Sequence, residues 1–176
     1  MHDSIFDPDA TCVAHPNRPH PSNLIVLDTN VVMDWLVFLD PSCAALQAAV
    51  MVGSVHWRAS SEMRAELAHV LGRGIAKAWL PDPSMLWSRW AQHCVELTEV
   101  APASLGTRLR CTDPDDQKFI DFALGHGARW LLSHDRAVLK LARRARPFGL
   151  QIMTPAAWNA QAATACLAAP DLVAQS

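Results

Sequence analysis

The feature that most constrains this chain is the run Leu24-Ile25-Val26-Leu27, which ends directly on Asp28. Four consecutive apolar residues, two of them β-branched, predict a strand buried on both faces, the kind found at the centre of a parallel sheet covered by helices. An acid at the exit of such a strand is exposed to whatever binds there. Asp28-Thr29-Asn30 also carries helix-capping chemistry, so a helix over Val31–Leu39 should follow.

The rest of the chain repeats this alternation. Pro41 opens a second helix, Ser42–Met51, and Gly53 closes it. Ser54–Trp57 reads as a short strand. Ser60 or Ser61 caps a helix that reaches Leu71 and stops at Gly72 and Gly74. Met85–Cys94 is helical, Val95–Val100 a weak strand, and Pro102–Thr112 a loop carrying Arg108 and Arg110. Asp113-Pro114 starts a helix reaching His126. Arg129–Ser133 is a strand, Asp135–Ala145 a helix, Leu150–Met153 a last strand and Pro155–Leu167 a last helix. Strands alternating with helices through short connections predict a single α/β domain with a mostly parallel central sheet, over residues 23–170.

Residues 1–22 stand apart. Pro8, Pro16, Pro19 and Pro21, with His2, His15 and His20, leave no period of either kind, and predict a disordered or extended arm. The chain carries 15 Lys and Arg against 17 Asp and Glu, a formal charge of -2, which excludes a polycation wrapped on nucleic acid. Nucleic-acid contact would have to come from a local patch or through a metal. Cys12, Cys43, Cys94, Cys111 and Cys166 form no C-x-x-C pair, so neither a disulfide framework nor a structural zinc site is expected. The acidic start MHDSIFDPDA is unlike a signal peptide, and Val31–Leu39, broken by Asp34, is too short to span a bilayer. A cytoplasmic protein with no membrane partner is the expectation.

Four acids fall at inward or strand-end positions. Asp28 follows the first strand, and Asp135 follows Trp130-Leu131-Leu132 by way of Ser133-His134. In open parallel sheets, ligands sit beyond the carboxyl ends of the strands. Glu66 lies three residues after Met63 and four before Val70, on the apolar stripe of its helix, whereas Glu62 falls off it. Asp116 precedes Phe119, Ile120 and Ala123 at helical spacing, in the expected first turn of a helix with an apolar inner face. Singly, each acid is more often a helix cap or the edge of an amphipathic face. Together they need another account. Two carboxylates about 4 Å apart repel by roughly 4 kcal/mol at an effective dielectric of about 20. Convergence of several therefore demands protons or a cation. An all-carboxylate set favours Mg²⁺ or Mn²⁺ over zinc.

Three blocks in order carry a resemblance: Leu24–Val31, with its strand-D-T-N opening; Arg64-Ala65-Glu66-Leu67 with Val70-Leu71; and Asp113-Pro114-Asp115-Asp116-Gln117-Lys118-Phe119 through Ala128, backed by Trp130-Leu131-Leu132-Ser133-His134-Asp135. Over roughly residues 23–158 the chain resembles the PIN-domain ribonucleases, and among them the VapC-like toxins of toxin–antitoxin pairs. The resemblance implies a three-layer α/β/α sandwich on a five-stranded parallel sheet of order 3-2-1-4-5. It implies that Asp28, Glu66, Asp116 and Asp135 are the catalytic acids and the ligands of Mg²⁺ or Mn²⁺. Thr29, Asn30 and Ser133 would support them. His134 stands where this subgroup commonly has Gly.

The activity so implied is metal-assisted hydrolysis of an RNA phosphodiester. Arg136, Lys140, Arg143 and Arg144, with Arg146 nearby, are a basic stretch that could meet the RNA backbone, although a solvated helix face fits Arg143–Arg146 as well. Trp35, Trp79, Trp87 and Trp90 are expected in the core or at an interface and not as base-stacking platforms. An antitoxin protein and a second copy of the chain are the implied protein partners. Two competing readings remain. One is a catalytically silent PIN-like module that binds RNA or protein. The other is an aspartyl-phosphate phosphatase, which needs D-x-D after the first strand and meets Asn30 instead of the second Asp.

Overall fold

The computed structural model describes residues 23–74, 77–79, 82–97 and 109–167. The arm over residues 1–22, Arg108, and the expected end of the third strand lie outside the described residues. Five strands, β1 (Leu24–Leu27), β2 (His56–Ser60), β3 (Cys94–Leu97), β4 (Trp130–Leu132) and β5 (Gln151–Met153), form one sheet of order β3-β2-β1-β4-β5. Every pairing is parallel. β1 is central because its side chains tolerate cover on both faces: Ile25 and Val26 are fully buried and Leu27 nearly so. Each such side chain contributes roughly 1.5–3 kcal/mol of hydrophobic stabilisation.

The helices are α1 (Thr29–Met33), α2 (Ala44–Met51), α3 (Ser61–Gly72), α4 (Pro83–His93), α5 (Gln117–Gly125), α6 (Arg136–Leu139), α7 (Ala142–Ala145) and α8 (Pro155–Leu167). The chain steps outward from β1 through β2 to β3, then returns to the other side of β1 for β4 and β5. Right-handed crossovers therefore put α1 to α4 on one face and α5 to α7 on the other, the expected three layers. The direction reverses between β1 and β4, where a crevice opens at the carboxyl ends. Leu27 pairs with Leu132 at that edge, and the Asp28 amide donates to the Leu132 carbonyl at 3.0 Å.

Several boundaries differ from those the sequence predicts. β2 runs on to Ser60, and the Ser60 hydroxyl accepts the Met63 amide, so strand passes straight into α3. The first helix changes its winding: α1 gives way to a π-helical turn, Asp34–Phe38, that ends on Leu39 in the left-handed region at φ 54°. Asp113 to Asp116 form a turn, with the Asp115 amide bonded to Asp113, and α5 begins only at Gln117. The long helix expected over Asp135–Ala145 is two short ones, α6 and α7, broken at Lys140-Leu141. Trp35, Trp57 and Trp90 pack edge and face in the core, with Trp87 against them. Trp79 is 64% exposed and so stands outside the core. Among the described residues no single helix is long and apolar enough to cross a membrane.

Candidate metal and phosphodiester site

The four acids come from four elements that meet at the crevice. Asp28 leaves β1, Asp135 follows β4, Glu66 stands on α3, and Asp116 is the N-cap residue of α5 and not part of its first turn. Asp28 is 3% exposed and is held from several sides. Its Oδ2 accepts from the Ser133 hydroxyl and from the Asn30 amide at 2.8 Å. The same Ser133 oxygen accepts the Asp135 backbone amide at 2.9 Å, so one hydroxyl ties the two strand exits together. Asn30 makes a parallel tie, its Oδ1 accepting the His134 amide at 3.3 Å. The Ser133 and Asn30 roles expected from sequence thus have a geometry: both fix the Asp28 carboxylate. Thr29 is buried beside them.

The charges interact across the crevice. Burial is the main force raising the Asp28 carboxyl above its usual range, with the bonds from Ser133 and Asn30 opposing and Glu66 adding. Asp116 is pushed up to about 7, first by desolvation, then by the charges of Asp28, Asp135, Asp113 and Glu66. One group that senses the other three acids is the signature of a convergent cluster. Asp28, Asn30, Glu66 and Asp116 line an open cleft of about 370 Å³, together with the apolar side chains of Met33, Phe38 and Val70. Asp135 borders the cluster without lining that cleft, and its Oδ1 caps α6 by accepting the Ala137 amide.

Whether a hard divalent ion suits these residues turns on their spare oxygens. Asp116 Oδ2 is buried with no hydrogen-bond partner. Leaving such an oxygen unpaired is costly, and a cation removes the cost. Among the described residues no three His, Cys, Asp or Glu side chains close around a point as they stand. Mg²⁺ keeps several waters and takes one or two carboxylates, and the cleft offers those of Asp28 and Asp116. The donor set fits the ion.

Two residues were not singled out from sequence. Lys118 Nζ lies 2.6 Å from Glu66 Oε2, with both side chains largely buried, so Glu66 is already neutralised by the chain itself. Asp34 also lines the cleft and pairs with His134 Nε2 at 2.9 Å. Desolvation raises its carboxyl, and the imidazole draws it back. The available signal was spacing, since Asp34 falls four residues after Asn30 on the same helix face. Lys118 carried no comparable signal.

The basic stretch is spread along the fold. Arg136, Lys140, Arg143 and Arg144 are all exposed. Arg136 follows Asp135 at the acid pole. Since β4 and β5 are parallel, α6 and α7 carry the chain back to the opposite pole. Helical rise puts Arg143 and Arg144 on the order of 10 Å further from the acids.

A family model for the PIN domain matches residues 24–137, and the chain belongs to the PIN domain family. PIN domains are generally nucleases that use divalent metal ions. Among solved structures the chain is similar to one in the VapBC2 complex from Rickettsia felis bound to a DNA fragment from their promoter. Identity is 16% over 73% of this chain and 98% of the other, with a TM-score of 0.55, a likeness of fold. No curated protein matches.

Proposed function

We propose that the chain is a Mg²⁺- or Mn²⁺-dependent endoribonuclease of the cytoplasm, acting as the toxin of a toxin–antitoxin pair. The observation that carries this reading is Asp116, driven to about 7 by desolvation and by the charges of Asp28, Asp135, Asp113 and Glu66, and holding a buried, unpaired oxygen. Asp28, Asp116 and Asp135 would hold the ion, with Glu66 beside them. The bound ion would supply an acidified water and neutralise charge on the scissile phosphate. The chain's own groups supply the orientation. Ser133 and Asn30 hold the Asp28 carboxylate, and Thr29 lines the cleft beside them. Lys118 keeps Glu66 from adding a full negative charge beside an incoming phosphate. Arg136 and Lys140 would guide the RNA backbone at the acid pole, and Arg143 and Arg144 would extend that track away from it. A nuclease partnered by an antitoxin is supported by the PIN family and by the fold shared with a chain of the Rickettsia complex.

The test is cleavage. The purified chain should cut single-stranded RNA with Mn²⁺, stop on addition of EDTA and resume when Mn²⁺ is restored in excess. Arg143→Ala with Arg144→Ala should leave the chemistry in place, weaken RNA capture for every sequence, and flatten its salt dependence. RNA cleavage unaffected by EDTA would contradict the metal-dependent reading.

A further inference from the structure

The apolar wall of the cleft has no part in holding an ion. Phe38, at the end of the π-helical turn, lines the same cleft as Asp28, Glu66 and Asp116. Against Phe38 packs Trp79, ring centroids 5.7 Å apart and planes at 83°. All seven tryptophans of the chain are described, and Trp79 is the exposed one. Trp35, Trp57, Trp90, Trp130 and Trp158 are buried, and Trp87 is packed against the core. With 64% of its surface in water, the Trp79 indole is open to a ligand. Rings standing edge to face make an L-shaped corner, which a third planar ring can enter by stacking on one face and meeting the other's edge.

We propose that Phe38 and Trp79 form a shelf on which a nucleobase beside the scissile phosphate stacks. This rests on the ribonuclease reading and goes beyond it. The cleft holds what both parts of a nucleotide need: carboxylates for a metal-neutralised phosphate, and apolar and aromatic side chains for a base. A base within a duplex has its faces covered by its neighbours and cannot reach the corner. An unpaired base can, and aromatic stacking accepts any base because every base has a π-face.

Binding separates the shelf from the chemistry. In EDTA at low salt, where nothing is cut, the full chain is titrated with a short single-stranded RNA. The same RNA annealed to its complement, and an abasic ribose-phosphate chain of equal length and charge, are titrated in parallel. The parent should prefer the single strand to both. Trp79→Ala should weaken single-strand binding by about 5- to 150-fold, the range for losing one stacked base. It should leave the abasic chain bound as before, and Trp79→Phe should recover most of the loss. Phe38→Ala should act in the same direction. Because Trp79 is exposed, its removal opens no cavity, and an unchanged melting temperature would show the fold intact. If Trp79→Ala leaves the ratio of RNA to abasic binding unchanged, the shelf is overturned and the wall is free for a protein partner's side chains. If the parent binds the abasic chain as well as the RNA, the shelf falls while capture through phosphate stands. A parent that cuts no RNA with Mn²⁺ would instead overturn the ribonuclease reading on which the shelf depends.

Discussion

At the scale of single residues, the cleft stores electrostatic strain at Asp116. Its carboxyl has an ordinary value of 3.8 and is raised to about 7 in the folded chain, so the native state binds the proton more tightly than the unfolded state does. The proton's contribution to stability is then present below pH ~4 and lost as pH rises towards about 7. Asp28 and Asp34 are shifted in the same direction by burial and add to the trend. Without metal, the melting temperature of the parent should fall relative to Asp116→Asn across that window. Thermal melts of the two proteins in EDTA from pH 4 to pH 7 check this. Parallel profiles would mean that Asp116 does not titrate against its neighbours. Lys118 acts in the opposite sense by neutralising Glu66. Lys118→Met would leave a largely buried carboxylate without its cation, at a cost of about 3–5 kcal/mol if the pair behaves as fully buried and less in proportion to its contact with water. Denaturant unfolding would measure it.

At the scale of elements, what could be read from sequence depended on whether the signal was local. β1 and β4 were legible because an unbroken apolar run is a local signature, and Asp28 and Asp135 came with them. β2 was placed too early: Arg58-Ala59-Ser60 lacks β-branched residues, and its pairing with β3 holds it in the sheet. The break between α6 and α7 contains neither Gly nor Pro, so no residue announced it. Nor did any residue announce the π-helical turn, although it brings both Asp34 and Phe38 to one cleft. The Glu66–Lys118 and Asp34–His134 pairs join segments far apart in sequence, and only the crossovers bring them together.

The turn ends offer a clean test of backbone strain. Gly149 leads into β5 at φ 81°, and an added Cβ there meets nothing within 4 Å. Gly149→Ala should cost about 1 kcal/mol from the left-handed conformation alone. Leu39 adopts the same region at φ 54° with a side chain 62% exposed, so Leu39→Gly should lose little and relieve comparable strain. Opposite signs in denaturant midpoints are expected. A loss in both would mean that Leu39 is held by contacts that outweigh its backbone strain.

At the scale of the molecule, the sheet order is what makes a site from scattered acids. Reversal between β1 and β4 splits the helices to the two faces and leaves Asp28 and Asp135 bracketing the gap, while α3 and α5 bring Glu66 and Asp116 to it. The resulting cluster keeps a buried, unpartnered oxygen at Asp116, so an ion that binds it should stabilise the whole fold by mass action, by about 2.7 kcal/mol at a hundredfold excess over its dissociation constant. The measurement that tests this account most directly pairs RNA cleavage with thermal shift in Mn²⁺ for the parent and Asp116→Asn. The parent should cut RNA and melt higher as Mn²⁺ rises, whereas Asp116→Asn should lose several orders of magnitude in rate and most of the Mn²⁺-dependent shift while remaining folded. An Asp116→Asn protein that cuts RNA as fast as the parent, with the same response to Mn²⁺, would contradict it.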